Sequence, residues 1–116
     1  MIEIMLKLLI GHALADQVLQ PKEMAKGKNR HRKPDYVPEG QKLCACWSYW
    51  LSAHALTHGA AVWLVTGSMA LGSAEIAAHW MLDFFKCENW TNPHQDQALH
   101  IACKVVWAII YLNWVV

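Results

Sequence analysis

The stretch LCACWSYWLSAHALTHGAAVWLVTGSMALGSA, which covers residues 43–74, contains no Asp, Glu, Lys or Arg. An uncharged and mostly apolar run of this length can enter a lipid bilayer and return part of the way. Two histidines, His54 and His58, lie four residues apart within it. The stretch therefore predicts a membrane-embedded helix that carries a polar stripe.

The composition of the whole chain agrees with a small membrane domain. The chain has 116 residues, of which 16% are charged, whereas roughly 25% are charged in an ordinary soluble domain. The net charge of +1 provides no basic field for DNA or RNA, which argues against a nucleic-acid-binding protein. We therefore treat residues 1–116 as one helical membrane domain with no nucleic-acid partner.

Apolar residues do not alternate with polar ones at a period of two, so strands are not expected. The pattern predicts an all-α fold, a four-helix membrane-embedded bundle with up-down-up-down topology. The third predicted helix is short for a full span, and the first carries charges, so a thin or tilted bundle is an alternative to four clean spans. The predicted helices cover residues 2–19, 46–65, 73–87 and 95–116.

A polar segment, residues 21–43, separates the first two predicted helices and holds ten of the nineteen charged residues. Its sequence, PKEMAKGKNRHRKPDYVPEGQKL, includes three prolines and two glycines, which predicts a mobile linker. Short basic loops remain in the cytoplasm or contact the anionic inner leaflet. We therefore expect this linker on the cytoplasmic side.

Aromatic residues cluster near two helix ends. Such clusters are typical of the aromatic belts at membrane–water interfaces, with packing in the protein core as the alternative. The residues are Trp47, Tyr49 and Trp50 in the second predicted helix and Trp107, Tyr111 and Trp114 in the fourth.

The four cysteines do not form the framework of a secreted disulfide protein, so reduced thiols are expected. A zinc clip formed by Cys44, Cys46, Cys87 and His94 is the alternative, but its spacing lacks the usual C-x-x-C pairs. The cysteines are Cys44, Cys46, Cys87 and Cys103.

Each predicted helix contains two His or Asp residues four positions apart, and such residues lie on one face of a helix. A fifth pair, His31 and Asp35, has Pro34 within it and is discounted. In an up-down-up-down bundle the remaining pairs converge at one end, on the side of the basic linker. These pairs are His12 and Asp16, His54 and His58, His79 and Asp83, and Asp96 and His100.

Polar residues inside apolar helices are energetically costly, and helix bundles often use them to bind metals. Eight candidate ligands suit one or two divalent ions. Histidine with carboxylate favours zinc, with iron or manganese as alternatives. The competing interpretation is a polar hydrogen-bond network that binds no metal.

The segments LLIGHALADQVLQ, MAKGKNR, HALTH, HWMLDFFK and DQALH together resemble an uncharacterised family of small membrane proteins, the domain of unknown function 3307. The resemblance implies a short multi-helix integral membrane protein of bacteria or phages, in the bacterial inner membrane. Gln17 departs from the family pattern, which usually has an aromatic residue there. The family implies no reaction. The matching polar positions are His12, Asp16, Gln20, His54, His58, His79, Asp83, Lys86, Asp96, Gln97 and His100.

Two functional hypotheses follow. The first is a metal-dependent hydrolase that cleaves a lipid-linked phosphoester, because a divalent ion makes bound water nucleophilic near neutral pH. In it, Asp96 is the general base and Lys86 neutralises the phosphate. The second is a non-enzymatic membrane protein, which has a structural metal site or a polar network, or which carries a metal ion or a proton. Haem binding to His54 or His58 is a variant of this hypothesis.

The expected partners are the lipid bilayer and a lipid or lipid-phosphate substrate. A chain this small also favours a homo-oligomer or an envelope partner that covers its polar helix faces.

Overall fold

In the computed structural model, which describes residues 1–33, 37–41 and 46–116, the chain forms five α-helices and no strand among these residues. The all-α prediction is thus confirmed. Four helices are long and one is short. They are α1 (Ile2–Ala13), α2 (Lys22–Gly27), α3 (Trp47–Thr66), α4 (Met69–Cys87) and α5 (Pro93–Ile110).

The long helices agree with the predicted segments, and local sequence explains their ends. Gly67, with a φ of 68°, ends α3 in the left-handed conformation that glycine tolerates best. Ser68 begins α4 by accepting a hydrogen bond from the backbone of Leu71 at 3.2 Å. Asn92 and Gln95 form a capping box around Pro93 at the start of α5.

The helix α2 is a correction to the prediction of a mobile linker. It lies inside the basic segment and packs against α3. Met24 is buried, and the backbone of Gly27 lies against the indole of Trp50. Hydrophobic contact thus orders part of this segment, although its charge and its prolines predicted a solvated linker.

The long helices pack in a closed ring, in the order α1, α3, α4, α5 and back to α1. One part of the interior is an apolar core formed by residues of all four helices. The other part is lined by ionisable side chains, described below. The apolar core consists of Ile4, Leu8, Val62, Leu71 and Ala108.

The outer surface of the bundle is strongly apolar. On α5, every fourth residue from Asp96 to Ala108 faces inward, whereas large apolar side chains face outward. The polar-inside pattern is the reverse of that in a soluble bundle. Exposed examples on α3 and α5 are Leu56, Trp63, Leu64, Leu99, Ile101, Val105, Val106 and Ile109.

Among the described residues, one helix is long and apolar enough to cross a membrane, Pro93–Val115. It comprises α5 and the π-helical turn Tyr111–Val115 that continues it. The core helix of a soluble protein would meet the same criteria, but only 17% of the most apolar window of this helix is buried. This is weak evidence for membrane association, and it does not confirm a four-helix membrane bundle.

Two expectations about side chains need correction. Cys46 is disulfide-bonded, so the expectation of four reduced cysteines is wrong at this position, while Cys87 and Cys103 are free thiols. Trp107 is not simply a belt residue, because its indole Nε1 donates a hydrogen bond to the buried Glu75 at 2.6 Å.

The closest approach of α3 and α4 yields a stability prediction. A Cβ on Gly72 would lie 2.9 Å from the carbonyl oxygen of Gly59 and 2.8 Å from the Cβ of Trp63. We expect Gly72→Ala to force these helices apart and to lower the free energy of unfolding by about 1–3 kcal/mol. Thermal unfolding in detergent, followed by circular dichroism, measures this change.

The matched control is Gly11→Ala in α1. A Cβ there would lie 3.4 Å from the Cβ of Ala61, which is an ordinary contact. This variant should retain or slightly raise stability, because alanine is the better helix former. Equal losses in the two variants would contradict the proposed role of the Gly59–Gly72 contact.

Candidate metal centre

All eight residues predicted as ligands lie inside the bundle, and none is more than 7% exposed. They come from α1 and the turn after it, the first half of α3, the last part of α4 and the first part of α5. The structure therefore brings together the four predicted pairs, while their role as metal ligands stays a prediction. The residues are His12, Asp16, His54, His58, His79, Asp83, Asp96 and His100.

The carboxylate of Asp16 reaches the centre from a π-helical turn, Leu14–Val18, that continues α1. In this turn the backbone N–H of Leu19 donates to the carbonyl of Leu14 at 2.8 Å. Single π turns inside helices are frequent at functional sites, because the wider turn changes the direction of the following side chains. Here Asp16 is buried and faces α3.

The first group of ligand atoms comes from Asp16, His54, His58 and His79. Asp16 Oδ1 lies 3.4 Å from Nε2 of His54 and 3.4 Å from Nε2 of His58. A tetrahedral zinc ion with bonds of about 2.0–2.1 Å holds its ligand atoms roughly 3.3 Å apart. The two measured separations therefore suit ligands of one ion.

The second group consists of His79, Asp83 and His100. Asp83 Oδ2 lies 3.8 Å from Nε2 of His79, and Asp83 Oδ1 lies 3.9 Å from Nε2 of His100. His79 belongs to both groups, so the two groups together comprise six residues. Asp83 Oδ2 also lies 3.3 Å from Nε2 of His54, so the groups are adjacent.

Two predicted ligands, His12 and Asp96, belong to neither group within the described part of the chain. Nε2 of His12 lies 3.2 Å from Oε1 of Gln97. The amide of Gln97 donates to Asp16 Oδ2 at 3.1 Å. His12 thus meets the centre through Gln97 and lies 3.9 Å from Asp16 Oδ2, and six of the eight predicted ligands fall in the two groups.

Several buried polar atoms at the centre have no hydrogen-bond partner in the structure. They include both ring nitrogens of His54, His58 and His79, together with Nε2 of His100 and Oδ1 of Asp83. Such atoms are rare in folded proteins because each costs about 1–3 kcal/mol. Buried histidine and aspartate atoms in this arrangement could hold a metal ion, whose bonds would satisfy these lone pairs.

The imidazole rings also stack closely. The rings of His58 and His79 have centroids 3.5 Å apart and an interplanar angle of 18°, and those of His79 and His100 are 4.3 Å apart. The close stack of His58 on His79 suits neutral rings, since two imidazolium cations at this distance would repel one another. The neutral form is also the form that binds metals.

A carboxylate behind His79 can fix the orientation of that ring. Glu75 Oε1 lies 3.5 Å from Nδ1 of His79 and accepts a hydrogen bond from Lys104 at 2.5 Å. Both Glu75 and Lys104 are 1% exposed. A carboxylate on one nitrogen of a histidine directs the other nitrogen toward a metal and raises its basicity.

Two further lysines contact the carboxylates of the centre. Lys86 Nζ lies 3.3 Å from Asp83 Oδ1 and 3.2 Å from Asp96 Oδ2, and its side chain is 28% exposed. Lys28 Nζ donates to Asp83 Oδ2 at 2.6 Å and is 4% exposed. The centre thus combines acidic residues, histidines and ammonium groups in one buried network.

Sequence reasoning missed Lys28, because its neighbours are charged and it lies in the segment predicted to be mobile. The only signal was its place in the MAKGKNR motif. The following residues also dock on the bundle. Glu88 accepts from Arg30 at 2.5 and 3.0 Å and lies 3.0 Å from Nε2 of His31. Arg30 and His31 hold the pKa of Glu88 at about 2, below its usual range.

The fold and the centre define a class of protein, an all-helical bundle with a buried His/Asp cluster that could hold a metal ion. The chain belongs to the protein family of unknown function DUF3307, whose family model matches residues 4–115. This confirms the resemblance seen in the sequence. Comparison with curated proteins and with solved structures gave no significant match.

Proposed function

We propose that this chain is an integral protein of the bacterial inner membrane that binds divalent metal, most favourably zinc, between its helices. The carrying observation is the set of orphaned nitrogen and oxygen atoms that converge inside the bundle. Six histidine and aspartate side chains, from the π-helical turn after α1 and from α3, α4 and α5, offer one ligand atom each. Neutral imidazole with carboxylate is a donor set that zinc accepts well.

The surface supports the membrane part of the proposal. Water would not favour a bundle with charged groups inside and Leu, Ile, Val and Trp outside, whereas lipid would. A helix of α3's 20 residues is about 30 Å long, which is about the thickness of the hydrocarbon core. The α3 sequence also contains no Asp, Glu, Lys or Arg.

Binding is tested most simply with cobalt(II), which replaces zinc at many sites and absorbs visible light when it is bound. We expect the detergent-purified protein, freed of metal with a chelator, to develop this absorption on titration with cobalt(II), and zinc to abolish it. The Asp16→Asn variant should lose most of the signal. Identical spectra for protein and buffer would contradict the proposal.

The orientation in the membrane gives a separate prediction. The test is chemical labelling of a cysteine introduced into the basic segment. Lys28 is an unsuitable position, because it is buried and would fail to react on either side of the membrane. Glu39 is exposed in the described part of the basic segment, and Met69, at the other end of the bundle, is 67% exposed. For a cytoplasmic basic segment, a membrane-impermeant maleimide should label Met69→Cys, but not Glu39→Cys, in intact cells.

Both positions should react after lysis, and the unsubstituted protein gives the background from its own thiols. The reverse pattern in intact cells would place the basic segment and the metal centre on the outer side of the membrane.

A second and more specific function, metal-dependent hydrolysis of a lipid-linked phosphoester, is favoured by the surroundings of Lys86. This ammonium group is the partly exposed cation of the centre and reaches Asp83 and Asp96. Oδ1 of Asp96 lies 3.3 Å from Nε2 of His100, and in the hydrolase it would act as the general base, with this imidazole beside it. The metal would supply an activated water, and Lys86 would bind the phosphate.

The hydrolase proposal is tested with metal-loaded protein in mixed micelles that contain a phospholipid or a polyprenyl phosphate. We expect release of phosphate or of the phosphorylated headgroup, and a loss of at least tenfold in Lys86→Met. If neither substrate is cleaved although metal is bound, the non-enzymatic alternative is correct.

A further inference from the structure

The two ligand groups differ in the cations beside them. Among the described residues, the ammonium groups of Lys28 and Lys86 lie within 4.0 Å of Asp83 in the second group. In the described part of the chain, no lysine or arginine lies within 4.0 Å of the carboxylate of Asp16, which contacts His12, His54 and His58. A divalent ion can therefore enter the first group without displacing an ammonium, but it cannot do so in the second.

Lys28 is part of a cap over this end of the bundle. The cap, residues 22–31, packs on α3, where Gly27 lies against the indole of Trp50, and its Met24 is buried. It is held on α4 by contacts of Arg30, whose guanidinium lies 5.3 Å from the centroid of the Phe84 ring and forms an ion pair with Glu88. Thus two anchors lie on either side of Lys28, and neither uses a metal-binding residue.

We propose that the cap is a gate for the second ligand group. In the closed state Lys28 binds the carboxylate of Asp83, and an incoming divalent cation displaces Lys28 and releases residues 28–31. This regulation rests on the proposed metal-binding function. The first group then binds one ion constitutively, and the second ion binds only when the cap opens.

The physical reason is competition for one carboxylate oxygen. Asp83 Oδ2 accepts from Lys28 at 2.6 Å and lies 3.8 Å from Nε2 of His79. An ion bound between Asp83 and His79 would be within about 4 Å of the ammonium, where the two positive charges repel strongly in a poorly solvated interior. Lysine can leave because its stem is long and flexible.

The proposal predicts metal stoichiometry. At a zinc concentration that saturates the first group, the wild type should hold about one ion per chain and Lys28→Met about two, with at least tenfold tighter binding of the second ion. Lys22→Met removes the same charge from an exposed position of α2 and should behave as the wild type. Equilibrium dialysis followed by elemental analysis measures both.

Removing a lysine could favour metal by charge alone, so a second variant separates the explanations. Glu88→Gln loosens the cap but removes a negative charge, which by charge alone would weaken cation binding. Under the gate it should tighten binding of the second ion, as Lys28→Met does. If Glu88→Gln binds the second ion more weakly than the wild type, or with the same affinity, the gate is wrong and Lys28 acts only through its charge.

Trypsin reports the movement of the cap directly. The side chain of Lys28 is 4% exposed, so cleavage after it should be slow in wild-type protein with one ion and at least fivefold faster when zinc fills the second group. Cleavage after Arg32, which is exposed, serves as the internal control. Unchanged cleavage after Lys28, with two ions bound, would overturn the gate.

The possible failures are distinguishable. One tightly bound ion in every variant, with no effect of Lys28→Met, defeats the gate and leaves the proposed metal-binding function intact. No bound ion in any variant defeats both.

Discussion

Replacement of a single ligand should abolish metal binding in the ligand group to which that residue belongs. His54→Ala, His58→Ala and Asp83→Ala each remove a ligand atom from one of the two groups. Loss of a residue that only supports a ligand already costs about 10–100-fold in affinity, so we expect losses above 100-fold for the ion of the affected group. Dialysis against zinc with elemental analysis of the protein measures the loss.

The control for these variants is His31→Ala. His31 has the same spacing to Asp35 as the pairs in the helices, but its ring contacts Glu88 outside the ligand groups. It should therefore retain the first ion at wild-type affinity. If the polar network alone is correct, all four variants contain no metal, and the three buried ones lose about 1–3 kcal/mol of stability for each unpaired group.

Removal of the metal should have the second large effect. A ligand that binds only the folded state stabilises it by about 4 kcal/mol when its concentration is a thousandfold above Kd. We expect a strong chelator to lower the unfolding temperature of the detergent-solubilised protein by roughly 10 °C or more for a chain of this size. Differential scanning fluorimetry with and without added zinc measures this shift.

His58→Ala controls for effects of the chelator itself. It should be less stable than the wild type without chelator, and its response to chelator should be smaller, because the first group no longer binds tightly. An equal response of both proteins would show that the chelator destabilises them by a route other than this centre.

The helices, and the convergence of the four His/Asp pairs inside the bundle, could be predicted from the sequence. Each of the four long helices has polar residues at four-residue intervals on otherwise apolar surfaces, and such stripes face inward if the exterior is lipid. His54 and His58 are the clearest case, since no charged residue lies near them in the sequence. The helix ends at Gly67 and Pro93 also follow from local rules.

The basic segment was not predictable from local sequence, because its structure depends on distant partners. Lys28 pairs with Asp83, 55 positions away, and Arg30 pairs with Glu88, 58 positions away. Charge and prolines favour a solvated loop at short range, whereas buried contacts of Met24 and Lys28 favour docking. Only the three-dimensional structure shows which effect is larger.

Which of the eight candidate residues fall in the two ligand groups was also not predictable. His12 and His58 have equivalent four-residue spacings in the sequence, yet His12 contacts Gln97 while His58 lies 3.4 Å from Asp16. The difference depends on how far each helix is rotated and shifted along its axis. The π turn that carries Asp16 likewise has no sequence signature that we recognised.

The central claim is that the converging histidines and aspartates bind metal, and elemental analysis of the wild-type protein tests it most directly. The protein is extracted from membranes with detergent, purified without chelators and analysed by mass spectrometry for zinc, iron and manganese against protein concentration. The account predicts about one bound ion per chain, most favourably zinc. Protein that is folded, pure and free of stoichiometric metal, and that takes up none on dialysis against zinc, would contradict it.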